Sequence, residues 1–199
     1  MRKHVISIAF GIAFSFANVS ITQAAFHLWD VNELYSNADG TIQFIEMHVP
    51  ATEPFNNNEH FVNGTMFSST NGPITNTFTM DHNLDTSIPT GGRYFLVGTS
   101  GFAAAPGAVT PDFTMPDGFL FTSGGFLTYQ DPNTATLDSI SYNALPLGIL
   151  SRNRDGSNGI NSPTNFAGQT GSIVPLPAAG WLLLSGLAVL MAKCTRRRG

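Results

Sequence analysis

Lysine is almost missing from this chain. Its 199 residues hold two, Lys3 and Lys193, both in the terminal stretches, and a single cysteine, Cys194. Charged residues of all kinds make up 11%. Each scarcity excludes something. With one cysteine no intrachain disulfide forms, so the fold rests on its own core. Between residues 25 and 173 three arginines, Arg93, Arg152 and Arg154, face all thirteen acidic residues, a balance of −10. A surface of that sign repels nucleic acid and anionic polymers unless cations bridge them, so no nucleic acid partner is expected. Also lacking from this middle region is any sustained helical repeat of apolar residues. Thr, Asn, Gly and Phe crowd it instead.

The two ends differ from the middle. Met1-Arg2-Lys3-His4 is a short basic head, and the thirteen residues from Val5 to Ala17 carry no charge. A polar stretch and Thr22-Gln23-Ala24 follow. Small residues three before and one before a scissile bond fit signal peptidase, so residues 1–24 read as a signal peptide. Cleavage is expected after Ala24, with Ala25 the alternative. Reading residues 5–17 as an ordinary buried helix fits the basic flank and the cleavage site less well.

At the other end, the fifteen residues from Ala178 to Ala192 carry no charge. As a helix they span roughly 22 Å, short for a hydrocarbon core of about 30 Å. Leu176 and the Lys193 stem extend the run. Lys193, Arg196, Arg197 and Arg198 come next, and a basic cluster beside an apolar helix marks the cytoplasmic side. The expected intermediate has its body outside, one marginal inner-membrane span and a basic stub inside. Pro175 and Pro177 push Val174 and Leu176 into extended backbone. They either offer a strip to a processing enzyme or simply start the helix. Cys194 is a site for acylation or an incidental residue of a discarded stub.

The order Val174-Pro175-Leu176-Pro177-Ala178, apolar span, arginine-rich end resembles the PEP-CTERM sorting signal in its VPLPA form. The resemblance covers about twenty-five residues, 174–199. It implies recognition by a membrane-embedded exosortase, removal of the tail, and a Gram-negative host that makes exopolysaccharide and forms biofilms or flocs. It implies nothing about what the body does.

The body, 25–173, is 149 residues, a length that suits one domain. Strands are predicted at 27–35, 41–49, 59–69, 75–80, 93–99, 126–130, 136–142 and 147–153, with turns between them. Asp39-Gly40 predicts a hairpin between the first two. In 27–35, simple alternation puts Trp29, Val31, Glu33 and Tyr35 on one face, and Leu28, Asp30, Asn32 and Leu34 on the other. Neither face is purely apolar, which suggests a strand near a sheet edge with Trp29 and Val31 inward. The long connection 101–118 is expected to hold one helical turn at Phe102–Ala105. The predicted architecture is an all-β sandwich, with an N-terminal signal helix and a C-terminal transmembrane helix.

Val31-Asn32-Glu33-Leu34, Phe44-Ile45-Glu46-Met47 and the closing Ser162-Pro163-Thr164-Asn165 resemble the lamin-tail type of domain, an immunoglobulin-like β-sandwich. The resemblance spans 27–168, with the middle unmatched and Asn63-Gly64-Thr65 where the family has a Gly-Trp pair. It implies an attachment or display module and makes Glu33 and Glu46 determinants of the fold.

Chemistry finds little foothold. The body keeps no cysteine and no Gly-x-Ser-x-Gly; Gly98-Thr99-Ser100-Gly101 has the wrong spacing for a nucleophile turn. His27, His48, His60 and His82 are scattered one per strand or loop. Glu46-x-His48 and Asn58-x-His60 put two potential ligands on one face, which reads better as solvent-facing polar residues than as zinc sites. His82 among loop acids reads as solvated. Glu33 and Glu46, on neighbouring hairpin strands, are the one candidate carboxylate pair for glycoside hydrolysis. Asp155, Ser157 and Asn161 in a Gly-rich loop offer oxygen ligands suited to calcium, although such strings mostly form turns. The sequon Asn63-Gly64-Thr65 carries little weight in a bacterium.

The function expected is that of an exported, non-catalytic surface or extracellular-matrix protein, met by signal peptidase and then exosortase. The first alternative is a module that binds exopolysaccharide through aromatic side chains and bridging cations. The second is an envelope hydrolase of unfamiliar type.

Overall fold

The chain from Asp30 to His48 shows how local sequence sets the frame. In the computed structural model, which describes residues 26–51 and 56–174, β1 (Asp30–Ser36) and β2 (Gln43–His48) pair antiparallel. The turn between them is held by the amide side chain of Asn37, whose Oδ1 accepts from Ile42 N at 3.0 Å. Asp39 Oδ1 accepts from Thr41 N and Thr41 Oγ1 at 3.1 and 2.6 Å. Gly40 sits at φ +75°, a left-handed backbone that side-chain-bearing residues resist. The predicted hairpin is present.

Its first strand breaks strict alternation. Register shifts between Val31 and Glu33, a β-bulge. One extra residue turns the following side chains over. Trp29, Val31 and Leu34 therefore share the inner face, while Glu33 and Tyr35 point outward; the expected grouping of Trp29 and Val31 with Glu33 and Tyr35 is corrected. The edge position is corrected as well, because β1 lies inside its sheet between β2 and a later strand.

The remaining strands are β3 (Met66–Asn71), β4 (Ile74–Thr79), β5 (Tyr94–Thr99), β6 (Phe113–Met115), β7 (Gly124–Gln130), β8 (Thr136–Asn143), β9 (Leu150–Asn153) and β10 (Asn158–Ile160). They form a six-stranded sheet in the order β10-β9-β1-β2-β5-β6 and a four-stranded sheet in the order β4-β3-β7-β8. Among the described strands only β5 and β6 pair parallel. Seven predicted strands fall close to their observed bounds. The one expected at 59–69 starts only at Met66, because residues 59–65 form a loop whose backbone bonds cross to Met80 and Leu84. β6 and β10 span three residues each, too short for periodicity to register. The helical turn, α1 (Ser100–Ala103), begins slightly before the expected Phe102–Ala105, with Thr99 as its N-cap accepting from Phe102 N at 3.1 Å. No helix among the described residues is long and apolar enough to cross a membrane.

The main core fills the space between the sheets. Trp29, Val31, Leu34, Ile45, Met47, Phe95 and Val97 from one sheet meet Phe67, Leu127, Tyr129 and Tyr142 from the other. Trp29 stands edge-on to Phe95 with ring centroids 4.6 Å apart, and its indole N–H reaches Glu59 O at 2.7 Å. A second cluster lies on the outer face of the six-stranded sheet, where Tyr35, Phe44 and Leu96 are covered by Phe102 and Ile173. Hence β2 is buried on both faces through Met47. The cover is made by α1 with its following loop and by the closing segment 161–173.

One ion pair ties the two sheets together. Beside the bulge, Asp138 Oδ2 of β8 accepts from Val31 N at 2.7 Å. The same carboxylate takes a two-pronged contact from Arg154 at 2.7 and 2.8 Å. Arg154 holds the Asp138 pKa below its ordinary value against burial.

Candidate functional site

Glu33 and Glu46 face each other directly in the β1–β2 register, on the outer face beside the Tyr35–Phe44 stack. Both side chains are almost fully buried, at 2% and 1% exposure. The closing segment lies over them. Glu33 Oε1 accepts from Ser162 N at 3.0 Å and its Oε2 from Ser162 Oγ at 3.2 Å. Glu46 Oε2 accepts from Thr164 N and its Oε1 from Asn32 Nδ2, both at 2.6 Å. Every oxygen of the pair thus has a donor from the protein itself. Burial, followed by the charge of Glu33, outweighs these donors and lifts the Glu46 pKa to about 7.

Further buried polar groups hold the same segment. Asp112 Oδ2 accepts from Leu96 N and Phe166 N at 2.8 and 2.9 Å, and burial raises its pKa to about 6. Asn165 donates to Thr110 O and accepts from Gln169 N. Asn161 donates to Ile149 O and Ile173 O at 2.7 and 2.9 Å while its Oδ1 accepts from Ile173 N. Together these side chains form a latch that seats residues 161–173 against the sheet. The arrangement can orient backbone and exclude water. Both carboxylates lie beneath this segment, away from solvent.

Several expectations change here. The expected solvent-facing positions of Glu46 and His60 are corrected, since both are buried. His60 Nε2 lies 2.7 Å from Ile88 O, and its ring stands perpendicular to Phe166 at 6.2 Å. His48 packs against Tyr94 with centroids 4.6 Å apart, and burial lowers its pKa. His27 Nδ1 lies 3.6 Å from Glu59 Oε1. His82 is exposed, as expected, contacting Asp81 at 2.6 Å and lying over Phe113.

The calcium candidate does not assemble. Asp155 Oδ1 accepts from Ser157 N at 2.8 Å, Ser157 Oγ accepts from Asn153 Nδ2 at 3.0 Å, and Asn161 is committed to Ile149 and Ile173. Asn161 is also buried, at 1% exposure, whereas Asp155 is exposed. The loop is a turn with Gly156 at φ +83°. Among the described residues no group of three or more His, Cys, Asp or Glu side chains stands close enough to hold a metal ion. Ser100 opens α1, and Thr99 beside it is fully buried, donating to Thr41 O at 2.7 Å. In the sequon, Thr65 is buried and donates to Val62 O at 2.6 Å.

Sequence reasoning missed the roles of Asp112, Asp138, Asn161 and Gln43. The Gln43 amide exchanges two hydrogen bonds with the Leu120 backbone at 2.8 and 3.0 Å. Their partners lie 12 to 107 positions away, and no local pattern announces such pairs. Of the terminal features, only Val174 falls within the described residues, and it is exposed. The cleavage residues Ala24 and Ala25, the motif from Pro175 to Ala178, the apolar span, Cys194 and the basic residues Lys193 and Arg196–Arg198 lie outside them.

Two of the surface depressions among the described residues bear on function. A cleft of about 220 Å³ beside the latch is lined by Arg93, Tyr94, Thr164 and Phe166. A wide trough of about 450 Å³ on the four-stranded sheet is bordered by Asn71, Ser123, Phe126, Ser141 and Asn143. No protein-family model matches the chain, and no curated protein sequence matches it.

Proposed function

We propose that this chain is an exported, non-catalytic protein of the cell surface or extracellular matrix, delivered by its N-terminal signal and sorted by an exosortase acting on the Val174–Ala178 motif. The observation that carries the reading is the two-ended targeting pattern around an acidic β body. The latch supports the non-catalytic part, since the one carboxylate pair suggested by sequence is consumed in seating residues 161–173. It also supports an immunoglobulin-like fold of lamin-tail type. Glu33, Glu46 and the Ser162–Asn165 turn, the residues that carry the resemblance, hold one another. In this reading the body is an attachment or display module, and the host is a Gram-negative bacterium that makes exopolysaccharide.

The test replaces Pro175 and Pro177 with alanine in the native host and follows the protein by fractionation. The expected result is accumulation in the inner membrane with loss from surface and medium. Unchanged export would remove the sorting role of the motif. A purified body that turned over glycans or peptides would remove the non-catalytic one.

A second reading has one observation in its favour. Phe126 is 45% exposed at the polar trough on β7, an arrangement suited to stacking a sugar ring. Retention of the body on host exopolysaccharide, lost in Phe126→Ala, would support a binding module, with dependence on added calcium reporting cation bridging.

A further inference from the structure

Eight large apolar side chains are exposed among the described residues, and five of them fall on the β9–β10 hairpin, the loop before it and the end of the segment bonded to it. Leu150 of β9 and Ile160 of β10 are register partners on the edge hairpin of the six-stranded sheet. Ile149 precedes Leu150, and its carbonyl accepts both the backbone and the side-chain amide of Asn161. The same Asn161 side chain bonds Ile173, which brings Val174 alongside. Leu147 completes the group; exposures run from 37% at Leu150 to 66% at Ile160. A cluster of this kind at a sheet edge marks an interaction surface rather than scattered exposure.

We propose that this patch is the face the body lays on the lipid surface while the chain is still held by its tail. The inference rests on the reading of 178–192 as a membrane span. Three residues lie between Val174 and Ala178, and the four steps from one to the other reach about 14 Å at full extension. The headgroup layer of one leaflet is itself about 5–8 Å thick. So short a tether leaves no choice of face: whatever surrounds Val174 meets the headgroups. What surrounds it is the apolar patch. Charge does not oppose this, because on the β9–β10 hairpin Arg152 balances Asp155 and Arg154 is paired with Asp138, which leaves this face close to neutral. Elsewhere the acidic body is repelled by anionic lipid. The patch thereby orients the body and presents the strip 174–178 at a fixed height to a membrane-embedded enzyme.

The full chain, with Cys194→Ser and a single nitroxide-labelled cysteine at Ile160 or at the exposed Thr77 of β4, is reconstituted into vesicles of phosphatidylethanolamine with a minority of phosphatidylglycerol. Collision with oxygen and with a water-soluble nickel chelate reports the depth of each label. The expected result places the Ile160 label at the headgroup–acyl boundary, within about 5–10 Å of the phosphates, and the Thr77 label in water. Equal, water-like accessibility at both positions overturns the proposal. Ile160 labels shielded from both agents and close to one another in pairwise distance measurements also overturn it, assigning the patch to a second copy. Both labelled positions are exposed, so folding survives the substitutions. The underlying reading is checked separately on the unaltered chain. Native Cys194 modified by an impermeant maleimide only after the vesicles are opened shows a span; modification from the outside, on the side of the body, refutes the span without reference to the patch.

Discussion

Glu46 should make this protein less stable as pH rises through neutrality. Its folded pKa is about 7 against an ordinary value of 4.5, with burial the largest cause. A carboxyl whose pKa is raised by folding binds its proton more tightly in the native state. Its stabilising contribution is therefore complete below about pH 4.5 and is lost as pH climbs through 7. The difference of about 2.5 units corresponds to about 3 kcal/mol at most. For a domain of this length that is a fall of roughly 6–12 °C in melting temperature. Asp112, raised to about 6 by burial, acts in the same direction over a lower window, between about 4 and 6. His48, lowered by burial, acts in the opposite direction, since the folded state gains as pH rises toward the ordinary histidine value of 6.5. Substitution isolates Glu46. In Glu46→Gln the amide oxygen still accepts from Thr164 N, and Asn32 can turn its own amide to accept from the new NH₂. Thermal melts of wild type and variant at intervals from pH 4.5 to 8.5 should separate progressively, the variant gaining relative stability above pH 6. Parallel curves across that range would refute the assignment of a buried, protonated Glu46.

Other substitutions probe the frame. Asp138→Ala orphans the buried Val31 amide and leaves Arg154 without its carboxylate partner, so urea unfolding should show a loss of about 2–4 kcal/mol. Part of that loss should disappear in the Arg154→Ala background. Gly98→Ala places a Cβ 2.6 Å from the Phe102 ring and 3.2 Å from Pro111, costing about 1–3 kcal/mol by the same measurement. Asn161→Ala removes the side-chain bonds to Ile149 and Ile173, and limited proteolysis should then cut first within 161–174.

What could be read from sequence follows what is local. The Asp39-Gly40 hairpin depends on turn chemistry and alternating neighbours, and it is present. The inward position of Trp29 and Val31 was legible too. Leu34 was not, because a bulge of one residue reverses everything after it and leaves no mark in composition. Glu33 and Glu46 were recognisable as a pair, since a tight hairpin fixes which residues oppose. Their environment was hidden, because the segment covering them arrives more than a hundred residues later. Asn161 shows the same limit from the other side. In a Gly-rich loop that reads first as a turn it is at most a candidate ion ligand, whereas in the fold its amide bonds the carbonyls of Ile149 and Ile173.

The central claim is that both ends are addresses and the acidic β body is the cargo. It is tested most directly by the intact mass and C-terminal peptide of native protein, purified separately from the envelope and the culture medium. The account predicts a start after Ala24 and loss of everything beyond the Val174–Ala178 region. A chain intact through Gly199 and confined to membranes would contradict it.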